Sequence, residues 1–146
     1  MAKFELNGDP IANLIRKLDS FNLYDDHVSK EILFSGGDIM TENIKRSAIQ
    51  AGHVDTGAMI RNIGYRKTVK KDRQGIKSIT VTVFKTDHKG IRNAAKAFIL
   101  NYGRDAINGV IVGSHFWNRG RQKSEQQVID KCTEIANEYI KEKGLI

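Results

Sequence analysis

The strongest constraint on the fold is a pair of alternating runs joined by a short polar turn. Tyr65, Lys67 and Val69 alternate with Arg66, Thr68 and Lys70; beyond Asp72-Arg73-Gln74-Gly75, Ile79, Val81 and Val83 alternate with Thr80, Thr82 and Phe84. Successive side chains of a strand point to opposite faces, so a period of two marks a half-buried strand. Four polar and glycine residues between two such runs predict an antiparallel hairpin. Its polar face is Lys, Arg and Thr, which leaves one sheet face wet.

Helical periods flank this hairpin. Asp9-Pro10 has the form of an N-cap followed by proline at the first helical position, and Ile11, Leu14, Ile15 and Leu18 continue a helix to about Ser20. Phe21 and Leu23 are expected to anchor the turn after it. Asp25-Asp26 caps a second helix, from about His27 to Gln50, whose buried stripe is Val28, Ile32, Gly36, Ile39 or Met40, Asn43 or Ile44, and Ala48. Gly36-Gly37 costs about 1 kcal/mol per glycine against alanine. Either the helix breaks there or another backbone packs closely; the expectation is one long helix with a weak point. After the loop His53 to Gly57, Ala58 to Ile63 reads as a helical turn or two. A third main helix is expected over Ile91 to Tyr102, with Ala94, Ala95, Phe98 and Ile99 as its apolar side and Gly103 as its C-cap. Val110-Ile111-Val112 is a short apolar run with the composition of a further strand. Ser114 is a candidate cap for the last helix, in which Val128, Cys132, Ile135, Ala136 and Tyr139 share one stripe. The predicted class is α+β: one domain over 1–146, with N-terminal helices, a small antiparallel sheet carrying a long basic hairpin, and a C-terminal amphipathic helix.

Charge separates the hairpin from everything else. The chain of 146 residues carries +7, and residues 64–96 hold ten cations against Asp72 and Asp87, a net +8. The remainder, with 14 basic and 15 acidic residues, is close to neutral. A localised excess of this kind suggests a face that meets something negative. Arg66, Lys67, Lys70, Lys71, Arg73, Lys77 and Lys85 are the candidate partner-facing or DNA-facing cations. Only Tyr65 and Phe84 interleave them as aromatics, and no helix-turn-helix or zinc-finger spacing accompanies them. A solvated hairpin whose lysines discourage edge-to-edge pairing is the plainer reading. Cys132 is the only cysteine, so an intramolecular disulfide is excluded and a reducing compartment is expected. Met1 to Glu5 lacks the apolar run of a signal peptide, and no stretch approaches the ~18 apolar residues of a membrane span.

Candidate chemistry is sparse. His27, His53, His88 and His115 stand without a paired histidine, and His53 with Asp55 would supply only two metal ligands. Cys132, on an apolar stripe, reads as a buried structural thiol. The glycines at Gly36-Gly37 and from Gly109 to Gly113 lack the Gly-Lys-Ser/Thr of a phosphate loop. Ser114-His115 places a serine beside a histidine in sequence, which is not triad geometry. Catalytic residues, cofactor ligands and metal ligands are therefore all expected to be absent.

Several features in order resemble a known family. A helical first half ends in Ala51-Gly-His-Val-Asp55-Thr56-Gly57-Ala-Met59-Ile-Arg-Asn-Ile63; a basic hairpin follows. Ala97-Phe98-Ile99-Leu100-Asn101-Tyr102-Gly103, the pair Phe116-Trp117 and a terminal amphipathic helix complete the series. This is similar to the small head–tail joining proteins of long-tailed phages, also called neck, tail-completion or minor tail-component proteins. The family's Thr-Gly-x-Leu-x-x-Ser-Ile-like motif is matched by Thr56 to Ile63. Its aromatic-x-Glu-(Tyr/Phe)-Gly-Thr motif is matched loosely by Phe98 to Arg104, with Asn101 for glutamate and Arg104 for threonine. No proline precedes Phe116. The resemblance implies a non-enzymatic virion protein that forms a homo-oligomeric ring around the DNA passage. Its partners would be a portal or adaptor on one side and the tail-tube or tail-terminator on the other. It would be assembled in the bacterial cytoplasm and end at the head–tail junction. Thr56, Gly57, Ile63, Tyr102 and Gly103 are then fold-defining positions. The alternative is a nucleic-acid-binding module built on residues 64–96.

Overall fold

Two long helices frame the molecule, which the computed structural model describes at residues 3–5, 9–20, 25–55, 57–73, 75 and 77–144. The first, α2 (Asp26–Gln50), is preceded by α1 (Asp9–Ser20) and by a strand that the sequence did not announce, β1 (Lys3–Glu5). The second, α5 (Phe116–Glu142), closes the chain and packs along α2, with α1 against it. Between them come α3 (Ala58–Arg61), β2 (Ile63–Gly64), β3 (Lys70–Lys71), β4 (Lys77–Thr80), β5 (Thr82–Val83), α4 (Asn93–Tyr102), β6 (Gly103–Ala106) and β7 (Gly109–Val112). The predicted α+β class holds, with antiparallel sheets of order β1-β4-β3, β2-β5 and β6-β7.

The helix starts and the close helix contact have local causes. Asp25 is the N-cap of α2, its carboxylate accepting the Val28 N–H at 2.9 Å. On α2, Val28, Ile32, Gly36, Met40, Ile44 and Ala48 are buried; on α5, Phe116, Gly120, Ser124, Val128, Cys132, Ala136 and Ile140. A spacing of four advances the stripe by about 40° per step on a 3.6-residue helix, so it winds round each rod and meets several partners. At Gly120 the helices come so close that a Cβ there would lie 2.6 Å from Ile44 Cα. Beside it Asn43 Nδ2 donates to Ser124 Oγ (3.0 Å) and Gln127 Oε1 (2.7 Å), so this buried amide is satisfied across the helix pair.

The glycine pair in α2 does not break the helix. A Cβ on Gly37 would lie 2.5 Å from Ile79 Cδ1 and 2.8 Å from the Tyr65 ring, so side chains of the hairpin, rather than another backbone, occupy the space the glycine leaves. Tyr65 also stacks on Phe34, and its hydroxyl lies 2.6 Å from Asp38 Oδ1 and 3.0 Å from Phe34 O.

That anchorage changes the predicted hairpin. It is an interrupted ribbon: Lys70↔Ser78 and Lys71↔Lys77 pair near the turn, Ile63↔Val83 and Gly64↔Thr82 at the base. Five residues, 65–69, stand opposite three, 79–81. The first run therefore fails as a continuous strand because Tyr65 is drawn onto α2. In the second run Ile79, Val81 and Val83 face inward as expected, and β4 takes β1 as a second neighbour, Phe4↔Ile79.

Three further expectations are corrected. Ile63 is not the end of a helix; it is buried in β2, because Asn62 closes α3 by donating from Nδ2 to Ala58 O at 2.7 Å. Helix α4 begins at Asn93, and its buried side is Asn93, Ala97 and Asn101 rather than the apolar side expected, for Ala95 and Phe98 are exposed. The two asparagines are inside because each serves backbone: Asn93 Nδ2 donates to Phe84 O (3.0 Å), and Asn101 Oδ1 accepts from Trp117 N–H (3.0 Å). The N-cap of α5 is His115, in the left-handed region at φ 55°, although Ser114 Oγ still accepts the Phe116 N–H at 3.3 Å. Phe21, Leu23 and Thr56 lie outside the described residues.

Candidate functional site

The two motif segments that lie far apart in sequence face each other across one cleft of about 400 Å³. His53, Asp55, Gly57 and Met59 form one wall; Lys96, Ile99, Leu100 and Arg104 form the other. Gly57 makes the turn into α3 at φ 74°, a conformation that favours glycine. Across the cleft, α4 ends at Tyr102 and Gly103 redirects the chain at φ 81° into β6.

Gly103 does more than end a helix. A Cβ there would collide with the Ile111 carbonyl, and one on Gly113 with the backbone at Asn101 and Tyr102. The chain leaves α4 and returns to α5 through this crossing, stitched by Ser114 N–H to Leu100 O and His115 N–H to Asn101 O, both 2.9 Å. Asn101 on α4 holds the first turn of α5, its Oδ1 accepting from the Trp117 N–H at 3.0 Å. The excursion between the two glycines is the β6–β7 hairpin, with Arg104↔Ile111 and Asp105↔Val110 opposite. All four residues of β7 are exposed, three of them Val110, Ile111 and Val112. The apolar run was legible as a strand; its exposure was not, because the same residues suit a buried one.

Of the groups with catalytic potential, His53, Asp55 and Lys96 line the cleft. Ser114 meets not its sequence neighbour His115 but His53, whose Nε2 lies 2.7 Å from Ser114 Oγ. Oγ also lies 3.1 Å from Leu100 O and accepts from Phe116 N–H, and it does not line the cleft. The pair therefore staples the His53 loop onto the α4–α5 crossing, where the His53 ring also lies edge-on to Phe116. Burial lowers the imidazole's pKa from its ordinary value. Among the described residues no three of His, Cys, Asp and Glu stand together as metal ligands. Cys132 is fully buried, and burial pushes its thiol up to about 12. Lys96 is held by Asp87, which also accepts the Lys89 and Ile91 N–H groups at 2.8 and 2.9 Å. These donors, Lys96 foremost, hold the Asp87 carboxyl at about 2.

The basic ribbon is a second surface. Arg66, Lys67, Lys70, Lys71, Arg73 and Lys85 are exposed, with Arg66 over the Phe84 ring at 5.7 Å. Lys77 differs from the rest: its ammonium is turned onto the start of α2, 3.0 Å from both Asp26 Oδ1 and Ser29 Oγ. No helix among the described residues is long and apolar enough to cross a membrane. Compared with family models, curated proteins and solved structures, the chain matches none of them.

Proposed function

We propose that this chain is a non-enzymatic structural protein of a tailed bacteriophage or prophage that joins head to tail by assembling into a ring. One observation carries the reading. The Thr-Gly segment and the Ala97–Gly103 segment, which together carry the family resemblance, form opposite walls of one cleft, and the second of them roots an exposed apolar hairpin. Gly57 and Gly103 in these segments turn the chain at the start of α3 and the end of α4. Such a ring uses head-to-tail contacts that close by rotation. Its neighbours are a portal or adaptor on the head side and a tail-tube or tail-terminator protein on the other, with DNA in the channel. It forms in the bacterial cytoplasm and needs no cofactor.

Electron microscopy of the purified protein, with mass spectrometry of phage particles induced from the host, tests this. Rings and a virion-borne chain are expected; a strictly monomeric protein absent from every particle fraction would sink the proposal.

The exposed cations of the ribbon favour a second reading, a nucleic-acid-binding module in which Arg66, Lys67, Lys70, Lys71 and Arg73 neutralise phosphates. It requires duplex or single-strand binding that weakens steeply with salt. Failure to bind either at low salt removes it.

A further inference from the structure

The β6–β7 hairpin is the least self-sufficient part of the molecule. A two-stranded hairpin is marginally stable in water unless its apolar face is covered. Here Val110 and Val112 are 68% and 84% exposed, and Ile107 at the tip is fully so. Beside the root, Phe98 and Tyr102 pack on each other at 4.9 Å while each stays more than half exposed. β6 and β7 pair only with each other among the described residues, so each offers an outer edge for strand addition.

We propose that this patch, the β6–β7 hairpin with Phe98 and Tyr102, is the surface by which copies of this chain bind one another. Two quantities point to a second copy. With whole residues of roughly 150–250 Å², the exposed parts of Ile107, Val110, Val112, Phe98 and Tyr102 amount to about 650 Å², approaching the ~800 Å² per partner of a stable protein interface. Ile111 lies on the opposite face of β7 and is not counted. Charge also discriminates. The molecule is strongly basic, but its excess lies in residues 64–96, whereas residues 97–113 carry only Arg104 and Asp105. Within the hairpin Arg104 and Asp105 balance, and among the described residues the cation beside Phe98 and Tyr102 is Arg121. Two copies therefore meet here with little like-charge repulsion compared with the ribbon. Strand β7, Gly-Val-Ile-Val, has no charged side chain to oppose pairing along its edge. This deepens the ring-assembly reading and rests on it for the closure of the contacts into a ring.

Light scattering after size-exclusion chromatography of the full chain, across the micromolar range, provides the test. The unaltered chain should associate. Val110→Lys with Val112→Lys should weaken association at least about tenfold, as for loss of an interface anchor, with an unchanged circular dichroism spectrum, because both side chains face solvent. Lys70→Glu with Lys71→Glu should leave association intact. Val112→Cys, close to the native size, gives a second readout: its thiol should be protected from maleimide in the associated state and react on dilution. An unaltered chain that stays monomeric overturns the proposal. So does association that the double lysine variant leaves unchanged, a result that would still allow a ring built on another surface. Capture of the monomer by neutral phosphatidylcholine vesicles would reassign the patch to lipid. Hairpin-dependent association in a chain missing from phage particles would uphold this inference and sink only the head–tail reading.

Discussion

Glycine-to-alanine changes separate helix propensity from packing at the residue scale. In an open helix interior the change gains about 1 kcal/mol. At Gly120 the added methyl would meet Ile44 main chain, with Cα at 2.6 Å and N at 2.9 Å, and main chain inside a helix cannot step aside. Overpacking of this kind costs about 1–3 kcal/mol or more, so packing wins. Gly120→Ala should lower stability in urea titration, by up to about 2 kcal/mol net of the propensity gain. Asn101→Ala should cost a further measurable amount, about 1–3 kcal/mol, since it leaves the buried Trp117 N–H without its acceptor. A variant as stable as the parent at either position would contradict these geometries. Asn101 stood out in sequence as a departure from a motif, whereas nothing in the sequence singled out Gly120. Neither role was legible, because each partner lies on another element.

At the scale of elements, the turn before α4 and the last helix each make a prediction. Asp87 binds two backbone N–H groups and the Lys96 ammonium, and its folded carboxyl sits at about 2 against an ordinary 3.8. A carboxylate with a depressed folded value contributes stability that is fully present above the ordinary range and lost as pH falls through the folded value. Unfolding midpoints measured from pH 6 to pH 2 should therefore show Asp87→Asn less stable than the parent above about pH 4. The difference should narrow steadily toward pH 2; a constant difference would remove the charge from the explanation. In α5, Cys132 lies on a fully buried stripe with its thiol near 12. It should react with Ellman's reagent only at the rate of unfolding, and fast labelling of native protein would contradict the packing of α5. The α5 stripe was read correctly because a helix period survives whatever it packs against. The buried side of α4 was misread because two asparagines there replace apolar residues, serving backbone groups that no periodicity reveals.

For the whole molecule, the separation of a basic ribbon from a neutral apolar hairpin decides what can bind where. If DNA lies against the ribbon, duplex affinity should fall steeply with salt, and Lys70→Glu with Lys71→Glu should flatten the log–log slope by about two. An unchanged slope would assign these cations to a protein neighbour or to solvent. The position of the charge, the α+β class, the long helices with the Asp25 cap, and the turn residues Gly57 and Gly103 were all contained in the chain itself, because period, capping and glycine conformation are local properties. Tertiary structure decided the rest. It drew Tyr65 onto α2 and so split the hairpin, paired Ser114 with His53 instead of His115, and turned Lys77 onto Asp26. It also left Val110 and Val112 outside. Valine and isoleucine in a strand specify a surface to be covered, and only the packing of the other elements shows that none of the described residues covers it.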